Sequence, residues 1–415
     1  MNKKFLTAII LIVMLLISTI YISATTTTFD YDGYWFSINE DGQTVSLDMY
    51  LGNEKIVSIP QTVEYKGKMY TVNSIGPIAF QNCLSLTKLS IPDSITAIGA
   101  FAFLGCKNLT EITLPNSITS INIQTFGYCR NLKKITIPDN VTSIGASAFS
   151  GCTSLTEIII PDNVASIGDG AFSGCTSLTE IIIPDNVTSI GDSTFSGCTS
   201  LTKITIPSGV VSIGNHTFSS CYNLTEISIP NSVTFIGEYA FFHCERLTGL
   251  TISDDLTIIG DYAFDGCFSL KEVSLPDSLT SIGKYAFGIC YNLESVYCYG
   301  DVPEVWGDGV FPFDSDIVIY YIDGKTGWTT PEWAAPDGTV YKTAIFNPFE
   351  LGDVNVDGQI NMDDVIKLLR HVSKAQVITD PKAIAAGEIV EDGQLNMDDV
   401  IRLLRFVSKA ISSLK

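Results

Sequence analysis

Ten cysteines recur at a fixed interval: Cys83, Cys106, Cys129, Cys152, Cys175, Cys198, Cys221, Cys244, Cys267 and Cys290 each lie 23 residues after the last. A phenylalanine precedes every one by three residues, from Phe80 to Phe287, and a leucine follows by three, from Leu86 to Leu293. Nine equal intervals in succession exclude chance, so the chain is an array of one short unit. A unit this small cannot bury its own apolar side chains. It becomes stable only when stacked on copies of itself.

The copy from Cys152 to Gly174 reads CTSLTEIIIPDNVASIGDGAFSG. Leu155, Ile158 and Ile160 make the L-x-x-L-x-L pattern of a leucine-rich repeat strand. Alternation turns Ile158 and Ile160 inward and Glu157 and Ile159 outward. Pro161 ends the strand because it has no N–H for a ladder. Val164 and Ile167 line a return run, Gly168 turns it, and Phe172 and Cys175 close the coil. At about 4.8 Å between strands, roughly eleven coils predict a rod on the order of 50 Å long.

These features resemble the BspA-like class of leucine-rich repeats found in secreted bacterial proteins, whose motif is L-x-x-I-x-I-P followed by I-G, A-F and C. The resemblance covers residues 57–298, with local departures: Asn122 replaces one glycine and Ser253 one proline. Residues 25–56 are expected to form an N-terminal cap. Residues 299–345, with Trp306, Trp328 and Trp333, are expected to form the opposite cap, since a solenoid needs atypical ends to cover its last open core.

A spacing of 23 without C-x-x-C lacks the close ligand pairs of a zinc site. Equivalent cysteines in stacked coils have Cβ atoms too parallel for a disulfide. They are read as small buried apolar residues, and Cys298, in an isoleucine's place in the last strand, as one more.

Outward strand positions form two columns. One runs Lys88, Glu111, Lys134, Glu157, Glu180, Lys203, Glu226, Gly249, Glu272; the other runs Ser90, Thr113, Thr136, Ile159, Ile182, Thr205, Ser228, Thr251, Ser274. The charged column reads either as solubilising cross-strand pairs or as a flat polar face for a protein ligand. Sugar platforms present aromatic faces, and this sheet shows none before Tyr297, which disfavours carbohydrate on it.

Lys3 and Lys4, an apolar run from Phe5 to Tyr21 and the cleavage site Ile22-Ser23-Ala24 make residues 1–24 an export signal; an uncleaved membrane anchor is the alternative. The mature protein is thus expected outside the cytoplasm. A net charge of −21 argues against nucleic acid and anionic lipid as partners.

After a short linker, 346–350, the texture changes. Asp353, Asn355, Asp357, Gly358, Gln359, Asn361 and Asp364 fit positions 1, 3, 5, 6, 7, 9 and 12 of an EF-hand-type loop. Calcium takes hard oxygen ligands, so carboxylates and amides must converge while a glycine makes the sharp turn. No entering helix precedes the loop, but Val365, Leu368, Leu369 and Val372 share one face of an exit helix. Residues 358–375 recur as 393–410, identical at 15 of 18 positions. In the second loop Glu388 takes position 1, and Val390 removes a ligand at position 3. Asp392, Gln394, Asn396 and Asp399 remain, a weaker site, with Glu391 a possible substitute through a bulge.

This duplicated loop-and-exit-helix, covering residues 351–415, is similar to a type I dockerin, a small all-α calcium-binding module. The resemblance implies two calcium ions and a partner, the cohesin module of a scaffoldin in a cellulosome-like, polysaccharide-degrading complex. It also implies two alternative contact sets: Met362, Asp363, Leu369, Arg370 and Lys374, or Met397, Asp398, Leu404, Arg405 and Lys409.

Dockerins commonly carry glycosidases, which need two facing carboxylates in a sugar-holding cleft. Here the repeat carboxylates occupy turns and outward positions. Three histidines, His216, His243 and His371, are scattered too widely for a triad or a zinc site. The chain reads as a non-enzyme: a structural or protein-binding subunit, with an adhesin for plant polymer or cell surface, or an enzyme with an unfamiliar site in the C-terminal cap, as alternatives.

Overall fold

The computed structural model describes residues 27–313 and 316–346. The leader, the linker beyond Phe346 and the whole calcium module, with every expected metal and cohesin-contact residue, lie outside the described residues. The described residues divide into two compact units, the first including residues 27–296, 303–313 and 334–339, the second 297–302, 318–333 and 340–346.

The first unit opens with an antiparallel meander, β1 (Thr28–Tyr31), β2 (Tyr34–Ile38) and β3 (Thr44–Tyr50). Asp32-Gly33, with φ of 51° and 79°, supplies the two left-handed residues that a tight hairpin turn needs. After β4 (Ile56–Ser58), a second hairpin of β5 (Thr62–Tyr65) and β6 (Lys68–Ile75) turns in the same way at Lys66-Gly67. Strand β6 lies parallel to β3 on one side and to β8 (Ala97–Ile98), a strand of the repeats, on the other. The capping sheet therefore draws on residues well beyond 56 and grows directly into the solenoid.

Each following coil carries two strands. The longer one holds the leucine-rich repeat pattern: β4 pairs in parallel with β7 (Lys88–Ser90), which pairs with Glu111–Thr113, and later coils repeat the step. Residues pair with their equivalents 23 positions on, Lys134 with Glu157 and Ile135 with Ile158. Burial alternates as expected: Glu157 and Ile159 are exposed, Ile158 and Ile160 buried. The stretch read as a return run is a second parallel sheet of two-residue strands, such as Ser143–Ile144, Ser166–Ile167 and Ser189–Ile190. A strand that buries one side chain shows no alternation, so its sequence carries no strand signature.

The glycine of the S-I-G motif has a different role from the turn expected of it. A Cβ on Gly168 would lie 2.6 Å from the backbone nitrogen of Ala146, so the residue is small because two coils touch there. The left-handed turn falls two residues later, at Gly170 with φ 59°. Where Asn122 replaces that glycine, its amide donates to the Ile98 carbonyl at 2.6 Å. Where Ser253 replaces proline, its hydroxyl accepts from the Asp255 N–H at 3.1 Å, which holds the same turn.

The core is a column of phenylalanines from Phe80 to Phe287, one per coil, with neighbouring ring centroids 4.9–5.7 Å apart. Tyr50 of the cap extends the stack at one end (5.2 Å) and Phe311 at the other (5.6 Å), covering rings that open ends would leave wet. Trp306 packs edge-on against Phe311. In the second unit, Val318–Ile322 and Val340–Phe346 pair in parallel. Trp328 stacks with Tyr321, meets Trp333 at 4.9 Å and donates its Nε1–H to the Gly300 carbonyl. All three tryptophans of the expected C-terminal cap are buried.

Candidate functional site

The described residues offer two faces to a partner. On the longer-strand sheet, the in-register coils bring the charged column together. Lys88 meets Glu111 at 3.0 Å and Lys134 meets Glu157 at 2.8 Å, all four side chains more than half exposed. Such pairs hold a flat polar surface and add little stability. In the neighbouring column Ile159 and Ile182 are 56% and 81% exposed, an apolar step in a Ser/Thr row. Gly249 interrupts the charged column. Beside it runs a shallow groove of about 450 Å³ lined by Thr248, Ser269, Lys271, Glu272, Glu294 and Ser295. Both glutamates are exposed, so the groove lacks the dry, opposed acid pair that glycoside cleavage requires.

The second face is the turn that carries the A-F-x-x-C segment, which strand alternation does not mark. Asp265 stands where other coils have Ser150, Ser173, Ser196 and Ser219. It is buried and accepts from the Ile289 N–H at 2.8 Å. Burial pushes its pKa up, while that hydrogen bond, the nearby His243 and the Gly266 N–H pull it down. His243 also meets Glu245 at 3.4 Å and abuts Phe242 and Phe268 edge to face. His216 stacks on Tyr239, ring centroids 4.8 Å apart. The signal was present in the sequence as tyrosines at Tyr239, Tyr262 and Tyr285, again 23 apart, but it lies outside the strand columns.

The thiols face inward. Nine of the ten ladder cysteines and Cys298 are buried, whereas Cys83, in the first coil, is only half-buried. Each of the nine donates its S–H to the carbonyl of the phenylalanine 26 residues earlier, from Cys106 to Phe80 at 3.0 Å through Cys290 to Phe264 at 3.2 Å. The cysteine is thus a small core residue with a weak donor that ties one coil to the next. Among the described residues no group of three or more His, Cys, Asp or Glu is placed to hold a metal. The residues expected from the sequence to hold calcium, between 353 and 399, lie outside the described residues.

Stacked parallel coils, two short-strand sheets and a phenylalanine spine define a leucine-rich-repeat solenoid. The chain belongs to the BspA-type leucine-rich repeat family, whose six-copy region model matches residues 73–202 and 188–312. A leucine-rich repeat protein from Bacteroides ovatus is 30% identical over 77% of this chain and 76% of its own, with a TM-score of 0.56. A leucine-rich cell surface protein from Faecalibacterium prausnitzii is 31% identical over 66% of this chain and 89% of its own, with a TM-score of 0.46. A comparison with curated proteins found no match.

Proposed function

We propose that the protein is a non-catalytic extracellular binding subunit: a BspA-type solenoid that offers an interaction surface, anchored by a C-terminal dockerin to a cohesin module of a scaffoldin. The observation that carries the reading is the duplicated calcium-loop and exit-helix sequence, identical at 15 of 18 positions. Asp353, Asn355, Asp357, Gln359, Asn361 and Asp364 would hold one calcium ion, and the weaker set from Glu388 to Asp399 a second. Calcium there supplies charge that draws the loop around it and fixes the exit helix. Export by the N-terminal leader supports an extracellular, cell-surface-associated setting. The family's solenoid supports binding, because its exposed residues are spread over long faces and its core is filled with side chains.

The test is capture of the full chain on immobilised cohesin modules, in calcium and in chelator. Capture in calcium that is lost in chelator and in Asp353→Ala, while the solenoid's circular dichroism is unchanged, is the expected result. Equal capture with and without calcium, or none on any cohesin, contradicts the docking role.

A further inference from the structure

Residues 135–202 contain seven carboxylates and no lysine or arginine, with Lys134 and Lys203 at the two ends of the stretch. Within it, residues 153–164 and 176–187 are identical, TSLTEIIIPDNV, so two coils present the same surface twice. The two coils stack directly, with Ser166 paired in register to Ser189. On the longer-strand face each copy sets an exposed isoleucine two residues after an exposed glutamate: Glu157 and Ile159 in one, Glu180 and Ile182 in the next. Asp162 and Asp185 stand exposed in the turn that follows each strand.

The fold does not require isoleucine at these positions. Thr136 and Thr205 occupy them in the flanking coils, equally exposed, and Ser or Thr fills the rest of the column. Threonine suits a strand as isoleucine does, so propensity does not account for the change. Two neighbouring isoleucines left mostly in water make an apolar centre, and the carboxylates around it make a charged margin. An apolar centre within a polar rim is how a protein contact is built. Of the four surrounding carboxylates, among the described residues only Glu157 is in an ion pair, with Lys134 at 2.8 Å. Glu180, Asp162 and Asp185 are free to accept from a partner.

We infer that this face, centred on Ile159 and Ile182, docks a basic segment of another protein, one in which Lys or Arg lies next to apolar side chains. Charge selects the occupant. A two-fold contact with a second copy would set carboxylate against carboxylate, because the stretch holds seven and no base to meet them. Polyanions are repelled for the same reason. A basic segment instead brings ammonium or guanidinium groups to Glu180, Asp162 and Asp185 in charge-assisted hydrogen bonds. The methylene stems of those side chains, with their apolar neighbours, cover the two isoleucines. The inference rests on reading the solenoid as an interaction surface, and it names the face used and the chemistry of the partner. It is independent of the calcium module.

The flanking coils also provide the variant. Ile159→Thr with Ile182→Thr installs the residue that Thr136 and Thr205 already carry, so the thermal unfolding of the parent is expected to persist. Random dodecapeptides displayed on phage are selected on the full chain, and the enriched sequences are titrated as free peptides by fluorescence anisotropy. Enrichment of Lys or Arg next to Ile, Leu, Val or an aromatic residue is expected. Affinity is expected to fall about tenfold or more in the isoleucine double variant and in Glu180→Gln with Asp185→Asn, and to weaken as salt is raised. No enriched peptide, or a neutral or acidic consensus, overturns the inference. So does affinity that survives the isoleucine variant, or oligolysine binding as tightly as the selected peptides, since either leaves the apolar centre without a part. Cohesin capture on the same preparations separates the two readings: a chain that docks but selects no basic peptide refutes only this face, and one that binds the peptide without docking refutes only the dockerin.

Discussion

At the residue scale the cysteine ladder shows how one side chain can be read correctly in kind and incompletely in role. Regular spacing shows that the thiols are interior, but a hydrogen bond to a carbonyl 26 residues back becomes visible only once the coils are stacked. Burial pushes Cys83 up to about 11 and Cys106 up to about 12, and it raises the deeper thiols as well. Because only the thiolate reacts, the folded protein at pH 8 is expected to label with a disulfide reagent slowly and at Cys83 alone, with all eleven cysteines reacting after denaturation. Rapid labelling of two or more thiols in the native protein would contradict this. Asp265 is shifted the same way: burial raises its pKa, so the folded state holds the proton to a higher pH than the unfolded chain does. The unfolded chain loses that proton first, so the folded state loses stability as pH rises from about 4 toward the raised value. Asp265→Asn retains an acceptor for the Ile289 N–H and removes the charge. It is expected to melt above the parent at pH 7, with the difference shrinking toward pH 4; thermal unfolding at both values checks the sign.

At the element scale the solenoid was legible in Leu155, Ile158 and Ile160 because half-buried strands alternate. The second sheet was not, since Ser166–Ile167 is too short to show a period. The two hairpins of the N-terminal cap depend on Asp32-Gly33 and Lys66-Gly67, local signals, but the docking of β6 between β3 and β8 is a long-range choice that no local signal encodes. The turn-face aromatics give no local signal for a related reason: only stacking makes residues 23 apart into neighbours. If stability is a sum over coils and their interfaces, a whole coil is removable while a fraction of one is not. Deleting residues 153–175 joins Cys152 to Thr176 and regenerates the native C-T-S-L-T junction. That variant is expected to keep the parent's circular dichroism shape and a single cooperative transition. Deleting 153–164, which breaks the register, is expected to abolish it.

At the scale of the whole molecule, the sequence contains a division of labour that no single face displays. The family-defining coils occupy residues 73–312, and the duplicated carboxylate-rich sequence proposed to hold calcium lies after residue 350. Phenylalanines fill the core of the described coils, whose outer surface carries the charged column, the groove beside Gly249 and the aromatic turn face. Attachment, by contrast, is proposed to rest on the duplicated module and on calcium. The most direct measurement of this account is an isothermal titration of cohesin modules into the full chain, with calcium and then with chelator. The account predicts one cohesin per chain in calcium, no heat in chelator, and loss of binding in Asp353→Ala. Heat that is the same in calcium and chelator, or none with any cohesin, would contradict it.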